Sequence, residues 1–241
     1  DIPTWQKYNR TNAIERIRQP FGDALRLLKL IPASQKLKKI IQSQQINLVH
    51  TNSSITPTGS FAAYYAKVPH VWHVRESFGS QCYYHPILGD KITYWLMNKL
   101  SQVIICNSEY TANPFRENNI KPVIINNGLD LGYYDGAVTN GKILRSNYGI
   151  HETDLVIGMV GNLNSELKKH NLFLDLAAIM SRDYKPLKFI VFGGSANFDQ
   201  SEYTRKLAKK VKRLRMGEKV IWAEFIKDSA AITNSMDIMV H

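Results

Sequence analysis

The sequence predicts an α/β fold with two parallel-sheet halves, because short apolar runs alternate with segments of helical periodicity along most of its length. Runs such as 103–106 and 155–160 have the length and composition of buried strands, and each ends in polar residues or glycine. Strands separated by a helix favour right-handed crossovers, which generate parallel sheets. The alternation therefore predicts crossover-connected sheets in both halves of the chain.

A glycine-rich segment separates the two halves. Residues 131–150 contain four glycines, a composition typical of a hinge between domains. The alternation of strands and helices ends before this segment and starts again at Leu155. We therefore expect an N-terminal domain over residues 1–135 and a C-terminal domain over residues 136–241, both incomplete.

Composition and cysteine usage define the class of protein. A chain of 241 residues with 44% hydrophobic and 10% aromatic residues can bury one large core or two modest ones, which excludes a mainly disordered protein. Its apolar runs stay below the roughly 20 residues that a membrane span needs. Cys82 and Cys106 lack metal-ligand spacing, and Cys106 ends an apolar run as a small core residue would. Both suit a reducing compartment, so we expect a cytoplasmic location.

The formal charge of +11 predicts a phosphate-bearing partner, which would be a nucleotide, a nucleic acid or an anionic lipid surface. Basic residues concentrate in two helical segments, 35–41 and 203–215, where lysines alternate with apolar positions. Each segment fits a solvated helix face at least as well as a binding face. Because the arginine and aromatic patterns of nucleic-acid-binding modules are missing from the sequence, we expect no nucleic-acid partner.

The first helical region spans residues 11–46. Pro20 and Pro32 interrupt its periodicity, which predicts two or three helices. Segment 36–41 has the pattern of a crossover helix, and also that of a helix lying peripherally on an anionic membrane at its inner face. The positions expected to be buried are Ile14, Ile17, Leu25, Leu28 and Ile31.

Two polar strand ends follow this region. The strands predicted at 46–54 and 68–77 flank a helix at 60–66, so their carboxyl ends should meet at one edge of a parallel sheet, where ligands bind in such folds. The polar residues expected at this edge are His50, Thr51, Asn52, His73, Arg75 and Glu76. The next predicted elements are a helix at 90–100, a strand at 103–106, and a strand at 122–130 that ends in the Asn127–Gly128 turn.

The first strand of the second half leads into a candidate anion site. Strand 155–160 ends at Gly161, and a helix is predicted at 170–180. Free amide N–H groups at a helix start, with Lys168 and Lys169 beside them, would bind a phosphate group. A plain strand-turn-helix unit with solvated lysines is the alternative, and the stretch alone favours it. The remaining predicted elements are strands at 187–192, 219–222 and 238–240 and the basic helix at 203–215.

Six short stretches stand in a fixed order along the chain, and they are Leu48-Val-His-Thr-Asn-Ser, Pro69-His-Val-Trp-His-Val-Arg-Glu, Val103-Ile-Ile-Cys-Asn-Ser, Val123-Ile-Ile-Asn-Asn-Gly-Leu-Asp, Ile157-Gly-Met-Val-Gly-Asn-Leu and Phe192-Gly-Gly. In this order they resemble the retaining glycosyltransferases of family 4, which have the GT-B fold. The resemblance extends over most of residues 46–241, and it rests on order and spacing more than on any single motif. It implies two Rossmann-like domains facing a cleft, a donor such as a UDP- or GDP-sugar held by the C-terminal domain, an acceptor held by the N-terminal domain, and no metal ion or other cofactor.

Family positions carried over onto this sequence define an expected donor site. Gly161 and Lys168 match the glycine and lysine of the loop that meets the donor phosphates. Asn162 stands where arginine is usual, and an amide brings no full charge. Lys169 stands where glycine is usual and restores some positive potential. The expected donor-binding residues are Gly161, Asn162, Lys168, Lys169, Gly193 and Gly194, of which the last two match a glycine pair that leaves room for the donor, or else form an ordinary tight turn.

The resemblance also implies catalytic residues in the first half. His73 matches a histidine that the family places beside the transferring sugar, and Arg75 and Glu76 follow it. Without the resemblance, a histidine in a Trp-containing strand is better explained as a hydrogen-bonded core residue. The residues expected on the cleft or acceptor side are Thr51, Asn52, Ser53, Asn127 and Gly128.

The implied activity is transfer of a hexosyl unit from a nucleotide-diphosphate sugar to a hydroxyl group of a polysaccharide or lipid-linked glycan, with retention at the anomeric carbon. The glycine-rich acceptor loop and the Glu-containing donor motif of the family find no match, so we expect a fragment that lacks both extreme ends. These unmatched elements and Asn162 favour an alternative interpretation, in which the chain is a non-catalytic GT-B module that binds a partner protein or an anionic membrane through its basic helices.

Overall fold

The structure is a computed structural model that describes residues 3–7, 13–79, 85–163, 166–182, 186–194 and 201–241. The chain divides into two compact units, residues 1–128 and 129–241. In its described part, each unit contains a four-stranded parallel sheet with helices beside it. This architecture confirms the predicted α/β fold class with two Rossmann-like halves. Cys82 lies outside the described residues.

The first unit is built around one parallel sheet. Its strands run in the spatial order β2-β3-β5-β6, and a separate antiparallel pair joins β1 to β4. The register places Thr51 opposite Trp72 and Trp72 opposite Ile104. The elements are β1 Gln6–Lys7, α1 Ala13–Ser43, β2 Val49–Asn52, α2 Thr58–Ala66, β3 His70–Val74, β4 His85–Pro86, α3 Asp90–Lys99, β5 Val103–Cys106, α4 Glu109–Glu117 and β6 Val123–Ile124.

Two tryptophans anchor the core of this unit. Trp5 stacks on Trp72 with ring centroids 5.5 Å apart, and both are buried. Trp5 Nε1 donates to the Ser54 carbonyl and Trp72 Nε1 donates to the Ser53 carbonyl, each at 2.8 Å. Because a buried indole N–H needs an acceptor, these bonds hold the chain in place just after β2. Cys106 is fully buried in the same core, in agreement with the prediction.

Helix α1 departs from the sequence prediction in two ways. It is one helix of 31 residues, and Pro20 and Pro32 lie inside it. Both prolines are exposed, so water can bond the carbonyl groups that they leave unpaired. The buried face was also predicted wrongly, since Leu25, Leu28 and Ile31 are exposed. The residues that α1 buries are Asp23, Leu30, Ser34 and Ile41, and the side chains of Ile14 and Ile17 lie outside the described part.

The strand predicted at 122–130 is much shorter in the structure. Only Val123 and Ile124 pair with β5, and residues 125–130 form no ladder. The polar and glycine residues of this stretch offer little apolar surface to bury. The strand therefore ends at Ile124, and the turn begins earlier in the chain than predicted. Residues 131–150, predicted as a hinge, are mostly helical.

The second unit has a sheet covered on both faces. Its strands run in the order β10-β7-β8-β9, all parallel. Along β8, Phe189 packs with α7 and α8 residues in one core cluster, whereas Ile190 packs with α6 and α9 residues in another. This double coverage explains the continuous apolar runs in the sequence. The elements are α5 Leu131–Asp135, α6 Val138–Asn147, β7 Leu155–Val160, α7 His170–Met180, β8 Leu187–Gly194, α8 Glu202–Arg213, β9 Val220–Glu224, α9 Ser229–Asn234 and β10 Ile238–Val240.

The basic helix α8 buries its apolar side. Leu207 and Val211 belong to the core of the second unit, Lys206, Lys209 and Lys212 are exposed, and Lys210 pairs with Asp175 of α7. Among the described residues, no helix combines the length and the apolar composition that a membrane span requires.

Candidate functional site

In the first unit, Glu76 ties the end of β3 to the loop that follows β2. Its Oε1 accepts a hydrogen bond from Ser53 Oγ at 3.0 Å. Its Oε2 accepts from the Ser54 backbone N–H at 2.9 Å and from Ser54 Oγ at 3.1 Å. The indoles of Trp5 and Trp72 donate to the carbonyl groups of the same two serines, so the groups that bind the carboxylate are held in place. Ser54 was not predicted as a site residue, and its position directly after the expected Ser53 was the available signal.

Arg75 links three segments at the carboxyl edge of the sheet. Its Nε donates to Asn52 Oδ1 at 2.6 Å, and Nη1 donates to Asn127 Oδ1 at 3.2 Å. Asn107 Nδ2 in turn donates to the Arg75 carbonyl at 3.2 Å. The strand ends therefore meet as the parallel topology predicts. Gly128 lies directly after Asn127 and is exposed.

His73 of this edge has a ring nitrogen without a protein partner among the described residues. Its Nε2 is buried and has no hydrogen-bond partner among the described residues. The imidazole of His50 stacks on it with centroids 5.6 Å apart. Burial lowers the pKa of His73, and the charge of Arg75 lowers it further, so the ring is neutral at pH 7. A neutral, unpartnered ring nitrogen can exchange a hydrogen bond with a ligand hydroxyl group.

Thr51 is held inside the sheet. Its Oγ1 lies 2.8 Å from His70 Nε2, and the second ring nitrogen of His70 lies 2.8 Å from Ser101 Oγ. Gly59 of α2 approaches the Thr51 side chain so closely that a Cβ at residue 59 would collide with it. The Thr51 side chain therefore serves packing and a buried hydrogen bond in this structure.

In the second unit, two glycines allow β7 and β8 to come together where both strands end. Gly161 donates its N–H to the Phe192 carbonyl at 2.9 Å. Gly193 has φ +110°, and a Cβ at that position would lie 2.5 Å from the Gly161 carbonyl oxygen. At Gly194 a Cβ would lie 2.9 Å from the Ala223 carbonyl oxygen. The glycine pair is thus required by backbone contacts within the protein itself.

The described residues 161–163 and 166–169, named here the β7–α7 loop, include the predicted lysines. The stem of Lys168 packs against Gly161, where a Cβ would lie 3.0 Å from Lys168 Cγ, and its ammonium end is on the exposed side. Lys169 has φ +56°, in the left-handed region, and its own side chain makes no capping bond to α7. Asn162 is exposed. The loop therefore presents lysine side chains and an amide side chain on one short segment.

Sequence reasoning did not identify His170 and Tyr203, which lie directly behind this loop. His170 is fully buried at the start of α7, and its ring nitrogens lie 3.3 Å from the Gly161 carbonyl oxygen and 3.3 Å from the Tyr203 hydroxyl. Nothing in the local sequence pattern distinguishes a buried histidine from a solvated one at a helix start. No group of three or more potential metal-ligating side chains is assembled within the described ranges.

The fold is similar to those of several solved glycosyltransferase-type structures. Anabaena Alr3699/HepE in complex with UDP-glucose aligns with a TM-score of 0.70 at 21% identity, covering 86% of this chain and 56% of that chain. A glycosyltransferase from Rickettsia africae aligns at 0.65 and 16% identity over 97% of this chain and 57% of that one. An α,α-trehalose-phosphate synthase from Burkholderia vietnamiensis aligns at 0.64 and 11% identity over 89% and 56%. The chain thus spans a little over half the length of each of these structures, and the similarities confirm the GT-B-like fold.

Family profiles match both halves of the sequence, although no curated protein sequence is significantly similar to it. The Glycosyl transferases group 1 profile matches residues 141–241. The Glycosyltransferase Family 4 profile matches residues 3–133, which is more than half of the chain. The chain therefore belongs to Glycosyltransferase Family 4.

Proposed function

We propose that the protein transfers a hexosyl unit from a nucleotide-diphosphate sugar, such as a UDP- or GDP-sugar, to a hydroxyl group of a polysaccharide or lipid-linked glycan. We further propose retention at the anomeric carbon and no requirement for a metal ion. Residues 1–135 would hold the acceptor and residues 136–241 the donor. The protein would work in the cytoplasm. Family membership and the β7–α7 loop support this proposal.

The β7–α7 loop is the observation on which the proposal rests. During transfer, the bond between the anomeric carbon and the donor phosphate breaks, and negative charge develops on the departing diphosphate. Lys168 would stabilise that charge. Lys169 would add positive potential, and Asn162 would donate a hydrogen bond without a charge. Gly193 and Gly194 keep the adjoining backbone free of side chains.

In the first unit, His73 would contact the sugar or position the acceptor hydroxyl. The unpartnered Nε2 supplies the hydrogen-bonding atom, and the depressed pKa keeps the ring neutral at pH 7. Arg75 and Glu76 are joined to Asn52, Ser53 and Ser54 by hydrogen bonds, so their role here would be to hold the edge in shape around His73. The acceptor hydroxyl oxygen would form the new bond to the anomeric carbon, and its proton would pass to an oxygen of the departing diphosphate.

Removing the charge of Lys168 should weaken nucleotide binding. In Lys168→Gln, loss of one charge-assisted bond of about 2 kcal/mol corresponds to roughly 30-fold weaker binding of UDP or GDP. The measurement is calorimetric titration of each nucleoside diphosphate into parent and variant. Because Lys168 is exposed at its ammonium end, the variant should unfold at the same temperature as the parent.

Lys188→Gln is the matched control for that experiment. Lys188 lies at the opposite end of β8, about 17 Å from Gly193 along the strand, and its ammonium group donates to the carbonyl of the exposed Glu218. Its replacement should leave the affinity for UDP unchanged. Failure of the parent chain to bind any nucleoside diphosphate or nucleotide sugar would remove the transferase proposal and favour a non-catalytic module.

A second candidate function is peripheral contact with an anionic membrane, and helix α1 supports it. Phe21, Leu25 and Leu28 are 81%, 54% and 63% exposed and recur at helical spacing on the side opposite the buried Leu30 and Ile41. We name these three residues the apolar stripe of α1. A helix that buries one apolar side in the core and exposes a second has surface available for a lipid interface.

Lysines accompany the apolar stripe along α1. Lys29, Lys36 and Lys39 are exposed, and the only acidic residue of the segment 19–43 is Asp23, which is buried and paired with Arg26. This sign of charge complements an anionic headgroup layer. The apolar positions of segment 36–41 itself are less available, since Ile41 lies in the core. The lipid contact would therefore be centred further toward the start of α1 than the sequence predicted.

Vesicle binding tests this second function. The chain should sediment with phosphatidylglycerol-containing vesicles and not with pure phosphatidylcholine vesicles, and salt should release it. The double variant Phe21→Ser, Leu28→Ser should bind the vesicles at least about tenfold more weakly than the parent, because two apolar side chains that would be buried in the interface are lost. Phe225→Ser, at a residue 70% exposed in the second unit, is the control and should bind like the parent. Equal binding by the double variant would contradict the role of α1.

A further inference from the structure

His170 is a buried histidine whose two ring nitrogens both have partners. Nε2 lies 3.3 Å from the Gly161 carbonyl oxygen, and Nδ1 lies 3.3 Å from the Tyr203 hydroxyl. A carbonyl oxygen can only accept, so the proton of the neutral ring must sit on Nε2. Nδ1 is then an acceptor, and the Tyr203 hydroxyl donates to it. The backbone of Gly161 thereby selects one tautomer of the ring.

The hydrogen bond from His170 closes the β7–α7 loop at its base. Gly161 is the first residue of the loop, and His170 is the residue directly after its last. The ring also borders the Gly161 Cα, because a Cβ there would lie 3.4 Å from Nε2 and 3.1 Å from Lys168 Cβ. Gly193 covers the Gly161 carbonyl from the neighbouring strand, where an added Cβ would lie 2.5 Å from the oxygen. The Gly161 peptide group is thus held by the ring, the lysine stem and β8.

The hydrogen bond between His170 and the Gly161 carbonyl, named here the clasp, has a direct consequence for Lys168. Ordering a flexible loop costs conformational entropy, and a ligand that must order the loop itself binds more weakly. Here the bond from His170 to Gly161 joins the two ends of the loop, and the stem of Lys168 lies against Gly161. The side chain therefore starts from a defined position.

From this geometry we infer that His170 is a positioning residue for Lys168, acting through its Nε2–H bond to the Gly161 carbonyl with Tyr203 holding the tautomer. The inference rests on the proposed function, because it assigns His170 to the site where the donor diphosphate would bind. His170 itself lies behind the loop and would not touch the donor. Burial lowers the pKa of His170, so the ring adds no charge at pH 7.

Two conservative substitutions separate positioning from packing. The side-chain amide of His170→Gln can place a donor where imidazole Nε2 lies, whereas that of His170→Asn reaches only as far as Nδ1. We expect His170→Asn to bind UDP about tenfold more weakly than the parent, and His170→Gln to bind within about threefold of it, since a tenfold change corresponds to the loss of one hydrogen bond. The measurement is calorimetric titration, with the thermal midpoint of each variant recorded without nucleotide.

Equal affinity of His170→Asn and the parent, or equal weakening in both variants, would overturn the inference. A second measurement on the parent chain keeps the inference testable whatever the variants do. Imidazole nitrogen NMR shifts should show the Nε2–H tautomer, and amides of the β7–α7 loop should exchange faster in His170→Asn than in His170→Gln. An Nδ1–H tautomer or equal exchange would contradict it. If the parent binds no nucleotide while both NMR results hold, the proposed function fails and the clasp stands.

Discussion

Replacing Gly193 by alanine should lower the free energy of unfolding of the second unit by about 3 kcal/mol or more, the sum of backbone strain and overpacking. Gly193 has φ +110°, which residues with a Cβ rarely adopt. The new Cβ would meet the Gly161 oxygen at 2.5 Å and the Gly161 carbonyl carbon at 2.8 Å. Both are backbone atoms in a strand end, so they cannot rotate away as a flexible side chain could.

The matched control is Gly217→Ala in the same unit. A Cβ at Gly217 would have no atom within 4 Å, so its replacement should change stability by about 0.5 kcal/mol or less. Urea denaturation followed by circular dichroism compares both variants with the parent. Since Gly193 supports Gly161, the Gly193→Ala protein should also lose UDP binding where it remains folded. A Gly193→Ala protein as stable as the Gly217→Ala protein would show that β7 and β8 do not approach as closely as described.

Acidification should destabilise the first unit through His70. Burial, with a smaller contribution from His50, lowers the pKa of His70 to about 4 from an ordinary value of 6.5. Below pH 6.5, His70 binds a proton in the unfolded chain but stays neutral in the folded chain. The free energy of unfolding therefore falls as the pH falls. Between pH 7 and pH 4 the loss attributable to this residue is about 3 kcal/mol, at 1.36 kcal/mol for each pKa unit. The stability is fully present above pH 6.5.

The variant His70→Gln isolates this effect. Glutamine cannot take up a proton in this range, so the difference in unfolding free energy between pH 7 and pH 4 should shrink by about 3 kcal/mol in the variant. Urea unfolding at several pH values, followed by tryptophan fluorescence, reports on the first unit because Trp72 packs edge-on against His70 at 5.3 Å. An unchanged slope in His70→Gln would mean that the folded unit accepts the proton.

From β7 onward the sequence predicted the four described strands and the helices α7 and α8, but it missed α9 and predicted a hinge where α5 and α6 lie. The predicted strand 155–160 and helix 170–180 have the same bounds in the structure. These elements are buried on both faces or carry a single apolar face, so their pattern has one interpretation. Helix α1 was harder because apolar residues occupy two of its sides, and only packing against α2 and the core decides which side is buried. When a helix carries apolar residues on two sides, its sequence alone cannot show which side is buried.

In the candidate site, too, the sequence indicated some contacts and could not indicate others. The sequence indicated that Asn52, His73 and Arg75 would meet, because parallel topology brings strand ends to one edge. It could not indicate that Thr51 would be spent on a buried bond to His70, since this depends on the register of β2 against β3. Nor could it pair His170 with Gly161, whose contact is created by the path of the loop between them.

What the amino-acid sequence alone determined is therefore the α/β alternation, the two parallel sheets and the polar strand ends, because each follows from residue periodicity and from turn residues close together in the chain. The tertiary structure decided which of those polar groups are free. Glu76 and Thr51 are engaged by neighbours, whereas His73 Nε2 has no partner among the described residues. The reason is physical: a hydrogen bond depends on distances of a few ångströms between segments far apart in sequence, and only packing of the core sets those distances.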